Sequence, residues 1–307
     1  MEISKINSLV ELFFKKLEEV DNNKAFLNSL KPEKIIYSWS DISERILKLS
    51  SKIKKLIKSG DRCLILSENN PNWLISDISI MNAGGISVPI FTTYSSNDYK
   101  YILEDCKPTL VIVSNNTQFK KIKEFINQNE TKIISFETID TYSYLITDIF
   151  KNSLEEKKIN YNLKRNMPAC IIYTSGTSGN PKGVILSHGG ILSNCEGAYE
   201  LLKTLKSPDL TFLTWLPLSH SYEHAVQFVQ IILEAKVFYN KSIETLLPTV
   251  KIAQPHIMTA VPRFYNNLHA KMKINLKNQS NFKQNLFNKT IQLGTKKFKN
   301  IKLSFSE

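Results

Sequence analysis

Ile171-Ile172-Tyr173-Thr174-Ser175-Gly176-Thr177-Ser178-Gly179-Asn180-Pro181-Lys182-Gly183 decides how the rest of this chain is read. An apolar run closed by Tyr173 passes into small hydroxylated residues, glycines and one lysine, and a second apolar run, Val184-Ile185-Leu186, follows. Strands on both sides fix such a loop in space, and side chains this small let backbone N–H groups close around an anion as a nest. Gly176, Gly179 and Gly183 are free to take positive φ. Thr174, Ser175, Thr177 and Ser178 add hydroxyl donors, Pro181 stiffens the exit, and Lys182 brings a full charge to a terminal phosphate.

Outward from the loop, short apolar runs alternate with longer amphipathic ones, the sequence form of a layered α/β fold with mostly parallel sheets and flanking helices. Residues 63–66 read as a buried strand. Asn70 is placed to cap a helix with Pro71 at its first position, Trp73, Ile75, Ile78 and Met81 along it, and Gly84-Gly85 at its end. A strand at 86–90, a helix at 96–105 and a strand at 109–113 complete a right-handed βαβαβ run between about 61 and 114. The pattern then predicts a strand at 132–136, a helix near 140–151 and an exposed linker over 152–166. Helices at 189–202 and 222–233, strands at 210–214 and 256–259, and a Lys/Asn-rich helical pattern over 272–303 follow. Trp39 and Trp73 read as core aromatics.

The net charge of +12 raises the question of nucleic acid, but only four of forty basic residues are Arg, the lysines are dispersed, and no RNP, KH, zinc-finger or recognition-helix pattern accompanies them. Nucleic acid is therefore not an expected partner. Cys63, Cys106, Cys170 and Cys195 lie far apart with no Cys-x-x-Cys pair, as expected of buried free thiols in a reducing compartment. The first twenty residues have the helical spacing Val10, Phe13, Phe14, Leu17 rather than a signal-peptide pattern, and no apolar run of ~18 residues is long enough to span a bilayer. The expectation is a cytoplasmic protein with at most peripheral contact at the inner face of a membrane.

Trp215-Leu216-Pro217-Leu218-Ser219-His220-Ser221-Tyr222-Glu223-His224 gathers two imidazoles, a carboxylate and a phenol between apolar runs. His220-x-x-Glu223-His224 fits the inverted zincin pattern, in which two histidines one turn apart bind zinc and the glutamate activates water. The same residues also read as a plain helix start with Ser219 as N-cap. A serine hydrolase is excluded, because His188-Gly189-Gly190 is not accompanied by any Gly-x-Ser-x-Gly elbow. His188 reads instead as a cap for the turn after the loop.

The loop is not a Walker P-loop, since Asn180-Pro181-Lys182-Gly183 stands where Gly-Lys-Ser/Thr is needed. It resembles the phosphate-binding pattern Tyr-Thr-Ser-Gly-Thr-Ser-Gly-x-Pro-Lys-Gly of the adenylate-forming (AMP-binding) superfamily, met at every specified position. The 216–223 segment is similar to the Leu-Pro-Leu-Ser-His-Ser-Tyr-Glu motif of long-chain acyl-CoA synthetases. Residues 37–41, 66–73, 84–89 and 260–265 resemble further segments of those enzymes in the same order, so the resemblance covers about residues 26–300.

The resemblance implies ATP-dependent activation of a fatty acid to an acyl-adenylate and then acyl-CoA, with ATP, Mg2+ and coenzyme A as cofactor and co-substrates. It places ATP phosphates on Thr174, Ser175, Gly176, Thr177, Ser178, Gly179 and Lys182. It puts His220 beside the carboxylate, makes His220 and Lys182 the catalytic candidates, and gives this chain no metal ligand of its own. It divides the chain into a βαβαβ-type part at 61–165, a phosphate-loop and acyl-site part at 166–271, and a helical tail at 272–307. The family's Tyr-Gly-x-Thr-Glu and Thr-Gly-Asp segments and its lysine-bearing C-terminal domain have no counterpart here. The expectation is thus an incomplete N-terminal domain of the adenylate-forming fold: truncated, completed by a second chain, or retained as a non-catalytic binding module. The zinc hydrolase stands as a further alternative.

Overall fold

The computed structural model describes residues 2–30, 34–127, 129–153, 158–175, 179–205, 208–277 and 279–299. It divides into two compact units, Met1–Thr259 and Ala260–Glu307. In the first, α1 (Leu9–Glu19) starts at Ser8, whose hydroxyl accepts from the Glu11 N–H at 3.1 Å. Strands β1 (Ala25–Ser29) and β2 (Ile35–Ser38) lead into α2 (Trp39–Lys54), which opens on a capping box of Ser38 and Asp41.

The expected βαβαβ run follows as β3 (Arg62–Leu66), α3 (Pro71–Asn82), β4 (Ile86–Pro89), α4 (Ser96–Cys106) and β5 (Leu110–Val113). Next come α5 (Asn116–Ile122), β6 (Lys132–Ser135), β7 (Tyr144–Leu145) and α6 (Ile146–Lys151). After them stand β8 (Pro168–Thr174), β9 (Lys182–Ser187) and α7 (His188–Leu202). The unit closes with β10 (Thr211–Thr214), α8 (Ser221–Ile232), β11 (Lys236–Tyr239), α9 (Leu246–Ala253) and β12 (Ile257–Met258).

These strands make a seven-stranded sheet in the order β7-β6-β5-β3-β4-β8-β9 and a five-stranded sheet in the order β12-β10-β11-β1-β2. Every pairing is parallel except β8 with β9 and β1 with β2. The mostly parallel layered α/β class is therefore as expected. Central strands are apolar on both faces, as parallel strands covered on both sides must be. Cys63, Ile65, Leu110 and Ile112 enter one core cluster, which also takes Phe26, Phe212 and Val237 of the five-stranded sheet; Leu64, Leu66, Val111 and Val113 enter another. Trp39 lies in the first, stacked on Phe26 at 4.0 Å, and Trp73 is buried there too.

Several local expectations change. Asn70 occupies the N-cap of α3, but its side chain turns back to donate to Ser67 Oγ at 2.9 Å and the Glu68 carbonyl at 2.7 Å, leaving Pro71 to start the helix. The helix near 140–151 shrinks to α6, because Tyr144 and Leu145 pair with Ile134 and Ser135 at the sheet edge. Ser187, not His188, caps α7, accepting from the Gly190 N–H at 3.1 Å. The strand at 256–259 is cut to Ile257–Met258, since Thr259 turns toward α8. Elements β1, β2, α2, α5, β11 and α9 were not foreseen.

The second unit contains α10 (Pro262–Lys277) and α11 (Asn281–Phe298), with the rings of His269 and Phe287 stacked at 6.5 Å between them. The helical pattern anticipated from 272 thus begins ten residues earlier, with Pro262 as the first residue of α10. Among the described residues, no helix is long and apolar enough to cross a membrane.

Candidate active site

Strands β8 and β9 pair antiparallel as the two arms of a β-hairpin, in which Thr174 of β8 lies opposite Lys182 of β9. Thr174, Ser175, Gly179 and Lys182 are exposed at its end, while Gly176, Thr177 and Ser178 lie outside the described residues. Gly179 has φ +90, a conformation that side-chain-bearing residues rarely adopt. Gly183 serves another purpose than expected: its φ is not positive, but a Cβ there would stand 3.0 Å from Ile171 Cγ2 and 3.2 Å from the Tyr173 ring. The glycine lets the tyrosine lie flat against the neighbouring strand.

Tyr173 is the anchor of the hairpin stem rather than part of its exposed end. Its buried hydroxyl donates to Asp105 Oδ2 on α4 at 2.5 Å, and its carbonyl accepts from the Tyr94 hydroxyl at 2.9 Å. Burial raises the pKa of both phenols, Tyr94 to about 12, so both remain donors. Tyr94 follows β4, which runs parallel to β8, so the loop after β4 and the hairpin emerge at the same sheet edge. In parallel sheets the carboxyl edge is where ligands bind.

The second half of the site hangs from the carboxyl end of β10 in the other sheet. Buried Asn69, just past β3, donates through Nδ2 to the Leu216 carbonyl at 2.8 Å and accepts the Leu218 N–H at 3.2 Å. One side chain thereby fixes the 216–218 loop to the seven-stranded sheet. That loop delivers His220 to the N-cap of α8, where Nδ1 accepts the Tyr222 N–H at 3.2 Å. The N-cap is thus His220 and not Ser219. His220 is exposed, and its ring meets Phe91, in the loop after β4, edge-on at 6.3 Å. Glu68, Asn69, Phe91, Thr92, Trp215 and Lys241 line a small cavity of about 80 Å³ between these loops.

One turn into α8 the environment inverts. His224 is fully buried, with Nε2 2.8 Å from Asp77 Oδ2 on α3 and Nδ1 3.8 Å from Cys170 Sγ on β8. Burial opposes its charge, but the Asp77 carboxylate outweighs burial and raises its pKa well above the ordinary histidine value. Glu223, also buried, accepts from Thr259 Oγ1 at 2.7 Å, and burial pushes its pKa up to about 7. His188 is buried too, accepts the Leu9 N–H at 3.4 Å, and is held neutral by burial, its pKa lowered to about 4.

The structure therefore brings His220 and the hairpin to one edge and separates His220 from His224. The zincin reading is not supported: His224 is committed to Asp77 and Cys170, and no cluster of three or more His, Cys, Asp and Glu among the described residues could hold a metal ion. Sequence reasoning missed Asn69, Asp77, Tyr94 and Asp105 as supports. Asp77 alone had a signal, being the one charged residue in the otherwise apolar and small-polar run 71–82, where a buried carboxylate demands a partner.

A family model described as AMP-binding enzyme matches residues 13–298. Among curated proteins, the chain is similar to fatty acyl-CoA synthetase A of Dictyostelium discoideum, 26% identical over 270 residues that make up 82% of this chain and 40% of that protein. It is also similar to long-chain-fatty-acid–CoA ligase 1 of Homo sapiens, 28% identical over 81% of this chain and 39% of that one. Among solved structures, ATP-bound MatB from Rhodopseudomonas palustris superposes with a TM-score of 0.70 at 22% identity, over 86% of this chain and 51% of that chain. The inhibitor-bound N-terminal domain of FACL13 from Mycobacterium tuberculosis gives 0.70 at 15% identity, over 85% and 64%. At such identities the superpositions establish the fold. The chain spans about 40% of the length of the curated relatives it matches.

Proposed function

Because the chain belongs to the AMP-binding enzyme family, we propose that it holds the phosphates of ATP at the 174–182 hairpin and presents a fatty-acid carboxylate beside His220. That is the activating half-reaction of a fatty acid–CoA ligase. The observation that carries this reading is the tie between the two sites: Tyr94 joins the hairpin stem to the loop after β4, Phe91 of that loop meets His220, and Asn69 pins the His220 loop to the same sheet.

In this reaction a carboxylate oxygen attacks the α-phosphorus, the bond to the β-phosphate oxygen breaks, and pyrophosphate leaves; transfer of the acyl group to the coenzyme A thiol would follow. The protein's task in the first step is position and charge. Thr174, Ser175 and Lys182 supply donors on a stem whose geometry is fixed before ligand arrives, so little reorganisation is needed as charge moves onto pyrophosphate. His220 accepts at Nδ1, which places the proton of the neutral ring on Nε2. That N–H can donate to the carboxylate and orient it.

The described residues do not fit a magnesium site. Both Glu68 oxygens are taken, by Ser114 at 2.6 Å and Gln118 at 2.5 Å, and Glu223 is buried against Thr259. No step is assigned to the ion.

Two assays on the chain as it stands test the proposal. Titration with a non-hydrolysable ATP analogue should show saturable binding that inorganic pyrophosphate competes away, and absence of binding overturns the site. Binding without fatty-acid-dependent pyrophosphate release assigns the chain to phosphate binding without turnover.

A further inference from the structure

Between residues 245 and 306 the sequence has eleven Lys and Arg and no Asp or Glu, so nearly all of the net charge of +12 lies in the last fifth of the chain and the remainder is close to neutral. The lysines are dispersed; it is the acids that stop at Glu244. Helices α10 and α11 make up most of the described part of this basic stretch.

Helix α11 arranges the charge around an apolar strip. At about 100° per residue, Phe282, Leu286 and Leu293 fall within about 40° of one another; Lys289 and Lys296 border the strip on one side and Lys283 and Lys297 on the other. Phe287, which stacks on His269 of α10, lies roughly 140° around the helix from Phe282, so the strip is not the face turned to its partner helix. Phe282 is 76% exposed and Leu286 56%. An apolar strip of this size bordered by lysines has two needs at once, a non-aqueous phase for the rings and a negative surface for the ammonium groups.

We propose that α11 docks the protein on an anionic lipid bilayer, the Phe282–Leu286 strip seated at the boundary of headgroups and acyl chains and the flanking lysines reaching up to lipid phosphates. Lys side chains suit this, since their apolar stems lie along the strip while the charged ends stay in the headgroup layer. Charge complementarity selects the lipid: a negative leaflet attracts each nearby lysine, whereas a neutral one offers only the apolar term. Nucleic acid is the poorer match, because ten of the eleven basic residues are Lys and only Arg263 offers the planar fork that stacks on bases and grips phosphates in pairs. The proposal is independent of the ligase reading.

The test is flotation of the full chain with vesicles of phosphatidylcholine alone or mixed with phosphatidylserine. The chain should float with the mixed vesicles only, and salt should release it. Lys283→Gln with Lys289→Gln should weaken binding about 25-fold, roughly fivefold per lysine. Phe282→Ser should weaken it about tenfold, with the helical circular dichroism unchanged. Lys100→Gln with Lys123→Gln, exposed in the first unit, should leave binding unaltered. Absence of binding, equal binding to neutral vesicles, an equal loss with the control pair, or displacement from vesicles by single-stranded RNA at the same salt would each overturn the proposal.

Discussion

The exposed rim of the site and the floor beneath it use the same kinds of residue to opposite ends. At the rim Thr174, Ser175, Lys182 and His220 face outward; in the floor Tyr173, Asp77, His224 and Glu223 are buried and bound to named partners. The contrast is sharpest on α8, where His220 caps the helix in the open and His224, one turn on, is fully enclosed. A polar group facing water costs the fold little and stays available to a ligand, whereas a buried one must be matched where it lies. Rim substitutions should change binding and spare stability; floor substitutions should do the reverse.

The largest effect is expected in the floor. Asp77→Ala leaves the His224 imidazolium buried without its counter-charge, and the loss should be about 3–5 kcal/mol in urea unfolding; a loss below about 1 kcal/mol would show that the pair does not hold the floor together. At the rim, Lys182→Ala should cost about 3 kcal/mol, near 10²-fold, in affinity for an ATP analogue or in pyrophosphate release. The urea midpoint of that variant should not move, and a fall would place Lys182 with the floor.

Glu223 sharpens the comparison through pH. Burial raises its folded pKa to about 7 from 4.5, so between those values the native state binds the proton that the unfolded state has lost. Stability contributed by this group is full below about pH 4.5 and is lost as pH rises through 7. Glu223→Gln should flatten that part of the stability–pH curve, a difference of at most about 3 kcal/mol. His188, neutral in the fold, acts on the acid side with the opposite sign: its pKa is lowered from 6.5 to about 4, so stability falls as pH drops through that interval. An unchanged curve in Glu223→Gln would remove the glutamate from the floor. The smallest effect is Gly183→Ala, whose methyl would press on Ile171 and Tyr173, for about 1–2 kcal/mol measured by thermal unfolding; a neutral result would mean that the stem tolerates a wider strand spacing.

The rim was readable in the sequence because its chemistry is local. Thirteen consecutive residues state the hairpin, and the 215–224 segment states the approach to His220. The βαβαβ run was readable for a similar reason, each apolar strand being bounded by its own turn residues. The floor was not, since its bonds join positions far apart: Asp77 and His224 are separated by 147 residues and Tyr173 and Asp105 by 68. Local spacing even misled, because His220 and His224 at one-turn separation look like a metal pair until their partners are known. Strands β1, β2 and β11 span only four or five residues each, too few for a period to show. The acid-free stretch after Glu244 was in plain view, but a whole-chain charge averages it away.

The four cysteines give the fold a use of a different kind. Cys63, Cys106, Cys170 and Cys195 are buried and unbridged, and they sit on β3, α4, β8 and α7. Burial raises the pKa of Cys63, Cys106 and Cys195, the last two to about 12, so at neutral pH almost none of these three thiols is present as the thiolate that alkylating reagents consume. Reagent added to the intact protein should find no target, and modification at each site would count the moments when that element opens. The chain thus carries four native clocks, two on strands β3 and β8 of the seven-stranded sheet and two on helices α4 and α7, able to time separate openings without any label being engineered in.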